Sequence, residues 1–74
     1  MKASEISRDI TYLIEKVIPS EIDVNLLEIG VVEGKTIKLI RRAPFSGAFA
    51  FQIGENFICM RTAEAELIQV ISEN

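Results

Sequence analysis

In this chain of 74 residues, the nearest thing to a reactive centre is Cys59 with Arg61 two positions further on. Both side chains would fall on one face of an alternating strand. A thiol is a nucleophile or metal ligand only as thiolate, and a neighbouring base or cation must hold it in that form. The chain has no histidine, so the commonest general base and transition-metal ligand is missing. One cysteine beside an arginine, with no base, is a packing or surface residue rather than a catalyst. The other soft donors, Met1 and Met60, do not combine with Cys59 into the C-x-x-C or histidine-containing spacing of a closed metal site. Glu64 and Glu66 flank Ala65 and read as solvated acids of a helical turn, with at most a weak hold on a surface cation. There is no G-x-S-x-G elbow, no G-x-x-x-x-G-K-[ST] and no G-x-G-x-x-G. The residues therefore predict a protein that is not an enzyme, needs no cofactor and does not bind metal tightly.

What is left is binding. Pro44-Phe45-Ser46-Gly47-Ala48-Phe49-Ala50-Phe51 places three phenylalanines around a turn. Period two puts Phe49 and Phe51 on one face, and both are expected in the core. Phe45 lies beyond the strand, beside Pro44, and is either a docking contact or an anchor folded back over the end of the domain. The basic residues Lys35, Lys38, Arg41 and Arg42 fall on and beside one strand with both parities. That pattern is a solvated strand and turn rather than a phosphate-binding stripe, and the formal net charge of -3 argues the same way against nucleic acid.

The elements that must position these residues are short. At this length one core closes, so residues 1–74 are expected to form a single domain. The single cysteine cannot form an internal disulfide, the pattern of a reducing compartment. Charges interrupt the N-terminus where a signal peptide needs an apolar run, and no apolar run approaches the ~20 residues that span a bilayer. Residues 1–9 and 72–74 are expected to fray. Ile10–Val17 reads as a first strand. Ser20 to Ile29 reads as a short helix with Ile22, Leu26 and Ile29 on its apolar stripe, stopped by Gly30 in a left-handed conformation. Gly34 is a turn. Thr36–Arg42 alternates, with Ile37, Leu39 and Arg41 on one face and Lys38, Ile40 and Arg42 on the other. Phe49–Ile53, a three-residue loop Gly54–Asn56, and Phe57–Arg61 form a hairpin. Thr62 is expected to cap a single helical turn over Ala63 to Glu66, and Leu67–Ile71 closes the chain. Five short strands with one helix after the first predict a mainly β fold, a small closed or nearly closed barrel, with an OB-like barrel as the alternative.

The order Leu26-Leu27-Glu28-Ile29-Gly30, then Gly34, then Arg41-Arg42-Ala43-Pro44 resembles the signature of the FeoA family. The similarity continues through the Ile58, Met60 alternation with Arg61, the Ala63-Glu64-Ala65-Glu66 turn and the Ile68-Gln69-Val70 strand. The resemblance implies an SH3-like barrel with a helix inserted after the first strand. It also implies an accessory role in ferrous iron transport, by docking on a FeoB-type membrane transporter at its cytoplasmic face. A cytoplasmic location follows, peripheral at the inner membrane through that partner. Association with Fe(II) is implied by the family alone, with no ligand residue to name. Arg42, Pro44, Phe45 and Ser46 would form the partner-binding corner. Here the chain departs from the family, which continues after the proline with leucine, glycine, aspartate and a second proline where this sequence has Phe45-Ser46-Gly47-Ala48. The alternative is an SH3-like interaction module related to the C-terminal domain of iron-dependent transcriptional regulators. A peptide-binding module of the aromatic-groove type has poor material in one tyrosine and no tryptophan.

Overall fold

Alternating apolar residues become strands when one face can be buried, and among the described residues five segments do so. In a computed structural model, residues 1–19, 26, 28–43 and 47–73 are described. Their strands are β1 (Thr11–Val17), β2 (Thr36–Arg42), β3 (Ala48–Ile53), β4 (Asn56–Arg61) and β5 (Ile68–Ser72). A 3-10 turn, Ala3–Glu5, precedes β1, and a short α-helix, Thr62–Ala65, joins β4 to β5. All pairings are antiparallel in one sheet of order β4-β3-β2-β1-β5. The strands agree with the sequence reading to within a residue or so at their ends. The helix expected over Ser20 to Ile29 falls mostly outside the described residues, although Leu26 and Glu28 have helical backbone.

The core lies on one face of the sheet. Phe51, Ile37 and Ile68 are fully buried there, and Phe49 and Phe51 meet edge to face with ring centroids 5.8 Å apart. The connections supply the cover. Leu26 and Val31 are buried, and the Val31 N–H donates to the Leu26 carbonyl at 2.9 Å. A bond reaching back five residues, with glycine between at φ +96, is the Schellman closure that ends a helix at Gly30. The expected stop is therefore present. Ile29, expected on the packed stripe, is instead 43% exposed, and Leu26 does the packing.

Two bulges reset the alternation. Between Leu39 and Arg41 the register with β3 shifts by one, which leaves Ile40 as the extra residue. Arg42, not Arg41, therefore falls on the core-facing parity of Ile37 and Leu39, reversing the assignment that simple alternation gives. The shift between Ile14 and Lys16 makes Glu15 the extra residue of β1 and returns Val17 to the side of Ile14. The β3–β4 loop has two residues, Gly54 and Glu55, rather than three. Asn56 is already in the ladder, and Gly54 at φ +60 supplies the conformation that a first turn residue of this kind requires.

The first residues are packed, against the expectation of fraying. Ala3 and Ile6 are buried, Lys2 bridges Gln69, and the Val70 N–H donates to the Met1 carbonyl at 2.7 Å. Two buried apolar side chains, Ala3 and Ile6, and the backbone pairing with Gln69 and Val70 hold this segment over the end of the core. Ser72 belongs to β5.

Candidate functional site

The site expected from the sequence is the corner at the end of β2. Pro44, Phe45 and Ser46 lie outside the described residues, so the corner is seen through Arg42 and the two feet of the connection. The bulge at Ile40 aims Arg42 toward the core side, just where the sheet ends. Its guanidinium carbon sits 5.1 Å from the centroid of the Phe49 ring. Its Nη2 donates to the carbonyls of Ser4 at 3.4 Å and Ile6 at 3.3 Å. A planar cation is thus held between an aromatic face and two carbonyls of the N-terminal segment. Beside it, a groove of about 380 Å³ runs between that segment and β2, lined by Glu5, Ile6, Ser7, Arg8, Leu39 and Arg42.

The feet of the connection are fixed as well. The Ala43 N–H donates to the Ala48 carbonyl at 2.9 Å, and the Gly47 carbonyl accepts from both the N–H and the hydroxyl of Thr62 at 3.0 Å. Thr62 is therefore not the cap of its helix. Arg61 occupies that position, and its N–H donates to Glu64 Oε1 at 2.9 Å. At the 3-10 turn the Lys2 N–H likewise donates to Glu5 Oε1 at 2.9 Å.

The candidate ligands for metal are scattered. Cys59 is a free, exposed thiol on the outer side of β4, Met60 is buried on the opposite side, and the Glu64 carboxylate is engaged with backbone. Among the described residues no group of three or more carboxylates and thiols could hold a metal ion. Isothermal titration under anaerobic conditions is accordingly expected to show no stoichiometric Fe(II) or Zn(II) binding at micromolar affinity. Tight binding abolished by Cys59→Ser would reverse that conclusion. The contact between Arg42 and the N-terminal segment, and the part Arg8 plays in the groove, are absent from the sequence reading. They join residues more than thirty positions apart, with no local signal to announce them.

The FeoA domain model matches residues 1–72. The chain belongs to the FeoA family. Iron(II) transport protein A from Clostridium thermocellum is similar at 28% identity and a TM-score of 0.90, covering 99% of this chain and 46% of that one. This domain thus spans about half the length of that relative. FeoA of Stenotrophomonas maltophilia, solved with zinc, is 25% identical with a TM-score of 0.82, covering 96% and 89% of the two chains. That protein is described as a procaryotic SH3 domain protein and a candidate bacterial ferrous iron transport activating factor. The manganese-activated repressor ScaR shares the fold at 20% identity and a TM-score of 0.84, over 97% of this chain and 35% of its own. No curated protein sequence matches the chain. A five-stranded antiparallel sheet with a short helix before its last strand is thus the SH3-like FeoA domain.

Proposed function

We propose that this chain is an accessory module of ferrous iron transport that docks on the cytoplasmic face of a FeoB-type membrane transporter and modulates it. The family match over residues 1–72 carries this reading. The activating role suggested for the Stenotrophomonas relative supports it. In this reading residues 1–74 form one domain and the sheet curls into an SH3-like barrel. The chain works in the cytoplasm, at the inner membrane through its partner. No helix among the described residues is long and apolar enough to cross a membrane. Iron is the transporter's cargo, and no residue of this chain is assigned to hold it.

The docking corner in this reading is Arg42, Pro44, Phe45 and Ser46. The Arg42 contacts support it, because a cation already held against Phe49 and two carbonyls loses little freedom when a partner binds. Phe45→Ala is expected to weaken binding of the transporter's purified cytoplasmic domains roughly 5- to 30-fold, about 1–2 kcal/mol, with the melting temperature unchanged. A lower melting temperature would make Phe45 a plug of the core. Unchanged affinity would move the docking face elsewhere.

A second reading, an SH3-like interaction module of a regulator, draws on the fold shared with ScaR. The neighbouring genes separate the two, a transporter gene favouring the first and a DNA-binding regulator the second.

A further inference from the structure

β4 is a terminal strand of the sheet, and its outward residues are unusual for an exposed edge. Phe57 is 73% exposed, the most exposed of the large hydrophobic residues among those described. The two-residue turn sets which residues of β4 bond to β3. Asn56, Ile58 and Met60 pair through the ladder, so Phe57 and Cys59 direct their N–H and C=O to the open side. The Arg61 N–H points the same way, and there the Glu64 carboxylate takes it. Such an edge is a template for another strand unless it is blunted, and β4 contains neither a proline nor an interior charge.

The face beside this edge has a definite charge. β2, β3 and β4 carry Lys38, Arg41, Arg42 and Arg61 and no acid at all, in a chain whose formal net charge is -3. Arg42 is engaged with Phe49 and the N-terminal segment. The other three lie on the outer side, and none is in an ion pair among the described residues. The ladder sets Arg41, Ala50 and Cys59 in one row across the three strands, and Lys38, Gln52 and Phe57 in the next. Ala50 in the first row and Ala48 beyond it, opposite Arg61, leave a depression of about 150 Å³, bordered by Arg41, Ala43, Ala48, Phe49, Ala50 and Cys59. That space suits one aliphatic side chain. The acids that flank β4 in sequence are Glu55 in the turn and Glu64, whose carboxylate accepts from the Arg61 N–H.

We propose that the β4 edge and the adjoining outer face of β3 form a second docking surface, which takes an acidic, extended segment of a partner protein as an added strand. Backbone pairing to Phe57 and Cys59 supplies direction and affinity, and alternate side chains supply specificity. An apolar side chain enters the depression, and acidic side chains meet Arg61 and Arg41. Charge decides among the occupants. A second copy would bring three more cations to the same face, and like charges there repel. A membrane surface would satisfy the cations but leave the strand's N–H and C=O groups unpaired. The Arg42 side chain lies on the opposite side of the sheet, and this surface meets the corner only at Ala43 and Ala48, so Phe57→Ala tests it without altering the corner.

The test is an NMR titration of the 15N-labelled chain with a blocked peptide about as long as β4, in which one face carries glutamate, valine and glutamate in turn and threonine fills the positions between. The expected result is shifted and exchange-protected amides at Phe57 and Cys59, with binding that weakens as salt is added. A lysine–valine peptide is expected not to bind. Phe57→Ala is expected to lower affinity roughly tenfold. Cys59→Pro removes an outward N–H without touching the β3 ladder and is expected to abolish binding. Should that variant fail to fold, Arg41→Glu with Arg61→Glu decides the matter by transferring preference to the lysine peptide. Perturbations confined to the Arg8–Arg42 groove, or equal binding of the two peptides, would overturn the proposal. So would self-association in sedimentation lost on Phe57→Ala, or binding to phosphatidylserine vesicles without binding of the glutamate peptide.

Discussion

Phe51→Ala is expected to remove a large share of the domain's stability. The Phe51 side chain is fully buried at the centre of β3, opposite Leu39 of β2 and Ile58 of β4, and meets Phe49 edge to face. Truncating a buried phenylalanine costs about 3–5 kcal/mol, the lost transfer energy plus the cavity left behind. A domain of this size has only about 4–11 kcal/mol in total, at roughly 0.05–0.15 kcal/mol per residue. Nor can the site relax easily, because its neighbours are held in ladder register on both sides. Thermal unfolding followed by circular dichroism should show a midpoint lowered by about 12 °C or more. A change of less than about 1 kcal/mol would place the core elsewhere than the β2–β4 face.

Gly30→Val is expected to cost about 1–3 kcal/mol, for a reason that contacts do not reveal. A Cβ at Gly30 meets nothing closer than the Lys35 Nζ at 3.9 Å, so there is room for a side chain. The penalty lies in the backbone. At φ +96 a β-branched residue is strained, and relieving the strain would pull Val31 away from the Leu26 carbonyl. The Leu26 and Val31 side chains are both in the core, so the helix end and the approach to β2 would loosen together. Urea denaturation reads the loss directly, and Gly30→Ala should fall between the two. An unchanged midpoint would mean that the Schellman closure contributes nothing.

How far the sequence could be read depended on whether the deciding interaction was local. Gly30 as a helix stop, Phe49 and Phe51 as core and the five strands are set by conformational preference and period-two burial within a few residues. The site was harder. Alternation along β2 alone places Arg41 with the core residues, yet pairing with β3 makes Ile40 an extra residue and puts Arg42 there. A bulge belongs to two strands, and one strand's pattern does not contain it. Thr62 was misjudged for a related reason. Its hydroxyl has two good uses, capping its own helix or bonding the Gly47 carbonyl, and only the fold brings the second into reach. The first residues, read as a frayed end, are held by Gln69 and Val70 from the far end of the chain.

The pairing of β1 with β5 also governs how the chain reaches this structure. Tyr12 lies opposite Ser72 and Ile14 opposite Val70, so one edge of the first strand is paired only by the last, while its other edge meets β2. Bringing such distant segments together has an entropy cost that rises with the logarithm of the intervening length, and it precedes any reward from burial. Folding through non-local pairs of this kind belongs to the millisecond-to-second range rather than the microseconds of helical bundles. During synthesis, the β1–β2–β3–β4 meander can assemble as it emerges, but the far edge of β1 waits unpaired until β5 has left the ribosome. Over that interval the nascent sheet has a second open edge at β1, and chaperones and aggregation compete for it.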